Sequence, residues 1–543
     1  MRLNHIAVGV ALVAVLAAGC ATSEPERAAA PTSATAPAAG ERVTVRTVPV
    51  PPGVEASLPA FTPDGQHLVF VYTAPDVAGS QVGTVALDGS AFTCVTCSVG
   101  QVDLGKPFVS RDGRKVLVRT PSGKGTPTTM YTYSVVECPD GVLRCPSPTI
   151  VPVELPGEAQ GVLQTRELRI SPDGDHLAFT QARPGGWTIV LGTLDRQADR
   201  YTVGALRLLN PRFELGDASA DWSAAGAFYE IKGFADDGTT VIYAATRDAS
   251  LNFDDYAVDL TTGERRRLTS HPDWDEPLDV SPDGSSVVVG SSRGTHRIDG
   301  LSLVPRPPLF DLVAYSQTAR WLLSNEARDC VVRPWLLDAR RPDTAQPGQE
   351  LDGEAWAEGY GPRAIPTWRL DGTAIAFWEE LQDPGRAPAS APPTRLRVAT
   401  LDDRRPVEPR PAATTPEPTW AWRYDEYPLS QRTATQTVRG AAKGTAEIAF
   451  TGGFVTGRYA VTYRGYSDDG EHVLDGTEVF DSPMIVSDAT YTVDLTVSGA
   501  HAGSMKGGFT LTGKDLQGEV TSVLDGQRTS WPPPPCPPPS TAT

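Results

Sequence analysis

The chain has 543 residues and a net charge of −18, and no segment after residue 20 is apolar for long enough to span a membrane. This length allows two domains with linkers. The negative charge, without a basic patch to meet phosphates, excludes a nucleic-acid partner. The 49 prolines and 51 glycines, with no long amphipathic pattern beside them, favour an all-β protein rich in turns.

The first predicted element is a signal peptide. Arg2 precedes the apolar run IAVGVALVAVLAAG, which has the length of a signal-peptide core and is short for a membrane span. The run ends in LAAGC, which resembles the lipobox of bacterial lipoproteins, with Ala17 where that family prefers Leu. We predict a lipoprotein signal peptide at 1–19, a diacylated Cys20, and a disordered Pro/Ala/Ser/Thr tether at 20–41. The alternative is an ordinary signal peptide cleaved elsewhere.

A short phrase then recurs six times. It reads FTPDGQHLVFVYT from Phe61, ISPDGDHLAFTQ from Ile170 and VSPDGSSVVVGSS from Val280. Each copy contains an apolar residue, two or three turn-forming residues, Asp-Gly, and an apolar strand. The aspartates of the six copies are Asp64, Asp112, Asp173, Asp237, Asp283 and Asp371. An internal repeat of this kind indicates an array of similar structural units.

Each phrase predicts a β-hairpin corner. Proline presets a type I turn, and glycine takes the left-handed position that follows it. The spacing between copies suits four-stranded propeller blades, and the longer gaps leave room for insertions between strands. Six copies therefore predict six blades. The segment RVTVRTVPV, residues 42–50, is expected to pair into the last blade, because a propeller needs a closing strand from the other terminus.

The fullest copy, LTSHPDWDEPLDVSPDGSSVVV, resembles the blade signature of the TolB-like propellers, also described as WD40-like repeats. The resemblance covers roughly residues 45–405, and it implies a six-bladed β-propeller at 42–401. The N-terminal α/β domain of TolB itself has no counterpart in this chain. The resemblance therefore implies the fold with good specificity and implies little about function.

Six cysteines remain after Cys20, an even number in an exported and oxidising compartment. Cys138 and Cys145 flank a turn-bearing loop that a disulfide could close. Cys94 and Cys97 form a CxxC motif in a segment of strand and turn, where a disulfide, half of a zinc site or a redox pair are the alternatives. We expect structural disulfides among these four. The last candidates, by elimination, are Cys330 and Cys536.

A second domain is predicted after a Pro-rich linker at 402–428. From 429 to 531 the chain shows about six segments of alternating apolar and polar residues separated by Gly, Asp and Ser turns. That pattern predicts a small antiparallel β-barrel or sandwich. The tail at 532–543 is rich in proline and is expected to be extended. The fold class is therefore all-β, a six-bladed propeller followed by this small domain.

No catalytic motif is present. A hydrolase domain attached to the propeller would carry a GxSxG nucleophile elbow, which the sequence lacks. We predict no catalytic residue, no metal site and no cofactor. Binding candidates are the acidic and aromatic residues of the loops between blades, where function on a repeat scaffold concentrates. They are Trp222, His271, Asp273, Trp274, Asp275, Glu276 and Trp356.

Two functions remain open. The first is a membrane-anchored extracytoplasmic lipoprotein whose propeller is a non-catalytic scaffold for a protein, peptide or glycan of the cell envelope. The second is an extracytoplasmic hydrolase or lyase that acts on polysaccharide at a site in the propeller channel. Convergence of the loop residues on one concave pocket would favour the enzyme. The structural alternative for the three tryptophans is that each seals its blade against the next.

Overall fold

The six Asp-Gly corners each join two strands of a four-stranded antiparallel blade in the computed structural model, and parallel pairing of the outermost strands of the second and third blades joins these two into one sheet. The structure describes residues 40–126, 129–157, 162–183, 186–212, 226–311, 314, 318–319, 321–322, 331–342, 347–352, 355–427, 435–453, 456–483, 488–513 and 515–534. Cys20, Trp222, Cys330 and Cys536 lie outside these residues. None of the helices within them is long and apolar enough to cross a membrane.

The strands of the blades, from the innermost outward, are as follows. Blade 1 has β2 (Glu55–Phe61), β3 (His67–Thr73), β4 (Gly79–Ala86) and β5 (Thr93–Cys94), and β6 (Val102–Asp103) pairs with β4. Blade 2 has β7 (Gly105–Val109), β8 (Lys115–Thr126), β9 (Thr129–Glu137) and β10 (Thr149–Glu154). Blade 3 has β11 (Gln164–Ile170), β12 (His176–Arg183), β13 (Gly186–Arg196) and β14 (Tyr201–Leu208).

The remaining three blades follow the same order. Blade 4 has β15 (Tyr229–Ala235), β16 (Thr240–Ala245), β17 (Asp254–Asp259) and β18 (Arg265–Arg267). Blade 5 has β19 (Asp275–Val280), β20 (Ser286–Ser291), β21 (Arg333–Asp338) and β22 (Gln349–Glu350). Blade 6 has β23 (Tyr360–Trp368), β24 (Ala374–Leu381), β25 (Thr394–Leu401) and β1 (Val43–Val48). Short 3-10 helices lie at Cys97–Val99, Val142–Arg144, Asp236–Gly238 and Ala355–Glu358.

The ring is closed by the N-terminal strand. Strand β1 pairs antiparallel with β25, and the register runs from Val43 opposite Leu401 to Val48 opposite Leu396. Each innermost strand contacts the innermost strands of both neighbouring blades, including β2 with β23. The predicted closure by residues 42–50 is thus confirmed, because the outermost strand of the last blade comes from the other end of the repeat.

The corners have the predicted geometry in five blades. In the first, the Gly65 amide donates to the Thr62 carbonyl at 2.9 Å and Gly65 adopts a φ of 65°. The Asp64 carboxylate accepts from the Thr62 hydroxyl at 2.6 Å and from the Gln66 amide at 3.0 Å. The turn is therefore held by its own aspartate as well as by its glycine.

The corner of blade 4 is different. It forms a 3-10 turn in which Asp236 and Asp237 have φ values of 49° and 58°. Asp236 stands where the full phrase has proline, so nothing presets a negative φ at that position. Aspartate tolerates the left-handed region better than most residues, which allows the alternative turn.

A long insertion separates β20 from β21 in blade 5, and it accounts for the widest gap between corners. It contains the short helix α1 (Asp299–Ser302), and most of its described residues are buried. Phe310 stacks on Phe480 of the C-terminal domain with ring centroids 5.9 Å apart. Trp321 packs edge-on against Trp531 at 5.1 Å. The insertion thus supplies the apolar surface on which the second domain rests.

The second domain is one eight-stranded antiparallel meander, a barrel-like sheet of more strands than the six that the sequence suggested. Its strands are β27 (Thr435–Arg439), β28 (Lys443–Gly453), β29 (Thr456–Ser467), β30 (His472–Ser482), β31 (Asp488–Gly499), β32 (Gly503–Thr512), β33 (Asp515–Leu524) and β34 (Gln527–Trp531). Exposed and buried residues alternate along β31. One face of the sheet is therefore apolar, and it packs in the same hydrophobic cluster as the insertion.

The segment between the two domains, residues 402–427, lies against the corners, and we name it the strap. Its hydrogen bonds reach the corners of five blades: Val407 N to Asp371 O, Arg410 Nη2 to Pro282 O, Ala413 N to Asp237 O, Thr415 N to Asp173 Oδ2, and Arg111 Nη1 to Arg410 O. Strand β26 (Trp422–Arg423) then pairs with β14. The face of the propeller that carries the corners is therefore occupied by the chain itself.

Two disulfides join residues that the sequence had singled out. Cys94 is bonded to Cys97 and Cys138 to Cys145, with Cα atoms 5.7 and 5.1 Å apart. The prediction of structural disulfides among these four cysteines is confirmed. Both bonds close short loops at the outer part of blades 1 and 2, and the Cys138–Cys145 bond packs in a hydrophobic cluster in which Cys138 is fully buried.

Candidate functional site

Every innermost strand contains one shift in its pairing register. The shifts fall between Ser57 and Ala60, Gly105 and Phe108, Arg166 and Arg169, Ile231 and Gly233, Asp275 and Leu278, and Arg363 and Thr367. Such bulges place a residue outside the ladder and redirect its side chain. The residues in these six shifts include Leu58, Lys106, Glu167, Lys232, Glu276 and Ile365, which we name the axis ring.

Four of these residues have a strained backbone. Leu58, Lys106, Glu167 and Ile365 adopt φ values of 55°, 44°, 52° and 82°. Side chains other than glycine, asparagine and aspartate rarely occupy this region, and each such residue costs on the order of 1–3 kcal/mol. Strained residues of this kind cluster at functional sites, which makes the axis ring the candidate site.

Ion pairs connect the axis ring across blade boundaries. Lys106 Nζ lies 2.8 Å from Glu167 Oε1, joining blades 2 and 3. Lys232 Nζ binds Glu230 Oε2 at 2.5 Å within blade 4 and also contacts Glu276 of blade 5. Arg166 of blade 3 meets Glu230 at 2.6 Å. The charged members of the axis ring therefore form one network along the inner wall of blades 2 to 5.

The network perturbs the pKa values of its members in opposite directions. Burial disfavours the charge of Glu167, but Lys106, Arg169, Arg166 and Lys232 surround it and hold its pKa well below the ordinary value. Burial and the nearby Glu230 raise the pKa of Glu276 to about 7, even though Lys232 opposes the shift. Burial also lowers the pKa of Lys106, with Arg169 and Arg119 adding to the effect.

The loop residues before β19 have structural partners. Asp273 accepts from the Arg297 amide at 3.0 Å and the Ile298 amide at 2.8 Å, which fixes the start of α1. Asp275 binds Arg293 at 2.5 Å. Trp274 is 4% exposed and packs in the core between blade 4 and the insertion. Its position agrees with the alternative in which this tryptophan seals its blade.

The other two loop candidates separate in the structure. His271 Nδ1 accepts from the Asp273 amide at 3.0 Å, and burial lowers its pKa to about 4, which suits a neutral acceptor. Glu276 instead belongs to the axis ring. Its carboxylate also accepts a hydrogen bond from Trp274 Nε1 at 3.1 Å. The side chain of Trp356 lies outside the described residues, as does Trp222. Within the described part of the chain, no group of three or more His, Cys, Asp or Glu residues is arranged to hold a metal ion.

Lys106, Glu167 and Lys232 of the axis ring were not among the predicted site residues. A signal for the ring was present, however, in the approach to each corner. Four of the six ring residues directly precede a proline, as in Leu58-Pro59, Lys106-Pro107, Glu276-Pro277 and Ile365-Pro366. Proline cannot donate to a strand ladder and therefore marks bulges and edges. The residue before that proline differs from blade to blade, and in these four blades it marks the axis-ring position in the sequence.

Buried carboxyl groups make the stability of this protein depend on pH. Burial is the main cause that raises the pKa of Asp273 and Asp279 to about 6, and that of Asp254, Glu276 and Asp311 to about 7. At pH values between its pKa in the unfolded chain and its pKa in the folded chain, each group binds more protons in the folded chain. Its contribution to the free energy of unfolding is therefore present at low pH and is lost as the pH rises through its folded pKa of 6 to 7. The lowered pKa of His271 has the opposite effect, because it makes the free energy of unfolding rise with pH between about pH 4 and 6.5.

We expect the free energy of urea unfolding to be higher at pH 5 than at pH 8. In this pH range, the five carboxyl groups with raised pKa values lower the free energy of unfolding by more than His271 raises it. The variant Asp279→Asn removes one contributor and keeps an oxygen for the Trp368 amide, which now donates to Asp279 at 2.8 Å. Its unfolding free energy should fall less between the two pH values than that of the wild type. Equal slopes in both proteins would contradict the assignment to Asp279.

Comparison with solved structures gives matches of low identity. TolB from Acinetobacter baumannii is 13% identical, with 64% of this chain and 63% of that chain aligned and a TM-score of 0.33. An oligogalacturonate lyase in complex with manganese is 14% identical over 67% of this chain and 99% of that chain, with a TM-score of 0.38. A TolB described as putative, from Agrobacterium tumefaciens, is 15% identical over 55% and 83%, with a TM-score of 0.33.

The chain spans less than two thirds of the length of the first of these proteins. No family model and no curated protein matches the sequence. The propeller assignment therefore rests on the strand order of the six blades and on the closed ring of innermost strands.

Proposed function

We propose that this protein is an extracytoplasmic lipoprotein whose propeller is a non-catalytic binding scaffold, and that the ligand binds at the axis ring. The observation that carries the proposal is the repeated bulge. Six innermost strands each leave the ladder at a corresponding place, and four of the ring residues are held at positive φ. Backbone strain of this kind clusters at ligand sites, where the surrounding structure holds a side chain in place.

The ligand is expected to approach from the face at which the innermost strands begin, which we name the upper face. The strap lies on the opposite face, against the corners of five blades. Arg166 precedes Glu167 toward the start of β11, and Arg119 pairs with Gly105 at the start of β7. Charged side chains are therefore available near the upper face. The insertion of blade 5 leaves β20 at Ser291 on this same face and contacts blade 4, where the Ser250 amide donates to the Arg306 carbonyl at 2.8 Å, so the ligand is expected to enter beside the insertion. Residues 402–427 occupy the corner face.

The cell-envelope location is part of the same proposal. A diacylated Cys20 would tether the propeller to a bacterial membrane by residues 21–41. The Cys94–Cys97 and Cys138–Cys145 bonds support an oxidising, extracytoplasmic compartment, because cytosolic proteins rarely hold disulfides. The partner would then be a protein, peptide or glycan of the cell envelope.

The proposal is tested by capture from native extract. The ectodomain from residue 21 onward, wild type or Arg166→Gln with Ile365→Asn, is immobilised and incubated with detergent extract of the producing cells. Asparagine is chosen because it tolerates the positive φ of Ile365. We expect the proteins and glycans retained by the wild type to fall at least tenfold, with capture carried out well below the melting transition of both proteins.

The matched control is Arg200→Gln with Val99→Asn. Arg200 belongs to an exposed ion pair of blade 3, and Val99 is an exposed apolar residue of blade 1. This control should retain the wild-type partners. Unchanged capture by the ring variant, or loss in the control as well, would refute binding at the axis ring.

One observation favours the enzymatic alternative, a hydrolase or lyase acting on polysaccharide. Glu276, with a pKa raised to about 7, lies beside Lys232, and a carboxylate poised near neutral pH can act as a general base. Steady turnover of a polysaccharide by the wild type, abolished in Glu276→Gln, would establish this activity and overturn the non-catalytic proposal.

A further inference from the structure

Positive charge is concentrated at the propeller axis of this acidic protein. The cations that interact across the network are Lys106, Arg119, Arg166, Arg169 and Lys232, and the carboxylates are Glu167, Glu230 and Glu276. Five cations thus face three carboxylates in a chain of net charge −18. The neighbouring Asp255 also interacts with Lys232, and burial raises its pKa well above the ordinary value, which disfavours its charged form. The inner wall of blades 2 to 5 therefore carries an excess of positive charge.

Three of these cations are partly exposed, and Arg119 is one of them. The side chain of Arg166 is 39% exposed and that of Lys106 is 23% exposed, whereas Lys232 and Arg169 are almost fully buried. Lys106 Nζ donates to both carboxylate oxygens of Glu167, at 2.8 and 3.1 Å. A negatively charged group placed beside the exposed parts of Lys106 and Arg166 would gain charge-assisted hydrogen bonds.

The remaining ring positions are aliphatic. Leu58 of blade 1 and Ile365 of blade 6 are half-buried and lie on adjacent blades, away from the charged wall of blades 3 and 4. None of the six ring residues is aromatic, and Arg169 covers the ring of nearby Phe108 at 4.3 Å. Sugar rings are commonly bound by stacking on exposed aromatic faces, which the axis ring does not offer. An aliphatic side chain fits Leu58 and Ile365 better than a sugar does.

We infer that the axis ring binds an extended peptide segment in which a carboxylate neighbours an aliphatic side chain. The carboxylate contacts Lys106 and Arg166, and the aliphatic group packs on Leu58 and Ile365. This inference rests on the proposed function and specifies its ligand. Attraction at exposed cations also makes the binding sensitive to salt.

The direct test uses a fluorescein-labelled peptide, Gly-Glu-Leu-Glu-Leu-Gly, and the ectodomain from residue 21 onward. Fluorescence anisotropy should show saturable binding with a Kd below about 1 mM. Replacing both Glu of the peptide by Gln should weaken binding at least tenfold, as should raising the salt from 50 mM to 500 mM. Replacing both Leu by Ser should also weaken it. Equal binding of the Glu and Gln peptides would overturn the inference.

Protein variants locate the contact. Lys106→Gln leaves Glu167 with three other cations, and Arg166→Gln leaves Glu230 with Lys232, so neither strands a buried carboxylate. Each should weaken the acidic peptide at least fivefold at a temperature well below the melting transition of the variant. The exposed control Arg200→Gln should bind it normally. Wild-type affinity in both ring variants would place the peptide elsewhere and overturn the inference.

A third probe separates the ligand class from the proposed function. Tetragalacturonic acid carries carboxylates on sugar rings instead of on a peptide. If it binds and the acidic peptide does not, or if neither binds, the peptide inference is overturned. The proposed function would still stand if the ring variant loses its partners from native extract while the exposed control keeps them. If the acidic peptide does not bind and the ring variant also captures the same partners as the wild type, both the peptide inference and the proposed function are overturned.

Discussion

Replacing Arg306 by methionine is expected to lower the free energy of unfolding of the C-terminal domain by about 3–5 kcal/mol, the usual cost of removing one partner from a buried ion pair. Arg306 lies in the insertion of blade 5, fully buried, with Nε 3.2 Å from Glu478 Oε2. Tyr463 and Tyr491 donate to the same carboxylate at 2.5 and 2.8 Å. The substitution leaves a buried carboxylate that is hydrogen-bonded but has lost its cation.

The double variant Arg306→Met with Glu478→Gln distinguishes a charge effect from a packing effect. Glutamine keeps an acceptor for the two tyrosines and removes the unpaired charge, so at least half of the lost stability should return. The Arg306 bonds to the Leu301 and Val304 carbonyls, both at 3.0 Å, are lost in either variant and set the remainder. Hydrogen exchange of the amides of β29 to β31 measures the change. Protection as in the wild type in the single variant would show that the insertion does not support this sheet.

Replacing Cys20 by serine is expected to abolish membrane attachment. A diacylated cysteine carries two acyl chains, and two hydrophobic anchors are needed to hold a soluble domain stably at a bilayer. Serine cannot form the thioether, so the variant should be released from the membrane or accumulate as unprocessed precursor. Detergent phase partition followed by mass determination of the N-terminus measures both outcomes.

The control for this experiment is the double variant Cys94→Ser with Cys97→Ser. It removes a disulfide from blade 1 and leaves the predicted lipobox intact. It should enter the detergent phase like the wild type. If the Cys20→Ser protein also enters the detergent phase to the wild-type extent, the lipobox prediction is wrong.

Much of the propeller could be predicted because its signals are local. The turn at Asp64 is defined by Thr62, Asp64 and Gly65 within one short segment, and the same chemistry recurs in the other full copies. The closing role of β1 followed from the need to complete the last blade. The two disulfides also join cysteines that are close in sequence.

The candidate site was less predictable because it depends on bulges. The shift between Ser57 and Ala60 moves Leu58 out of the alternating pattern, so its position could not be obtained by counting along the strand. Trp274 stands beside acidic residues in sequence and suggested a binding loop. It is buried because the insertion, which joins β20 to β21, folds back over it.

The sequence by itself determined the number of blades, the corners and the closing strand, because each is specified by hydrogen bonds and steric preferences within a few residues. Only the tertiary structure decided that the insertion of blade 5 supports the C-terminal sheet, that the strap occupies the corner face, and that Lys106, Glu167, Lys232 and Glu276 meet in one network. Those features join residues far apart in the chain, such as Arg306 with Glu478 and Arg111 with Arg410. Their contacts form only when separate blades and domains pack together, and no local pattern encodes that packing.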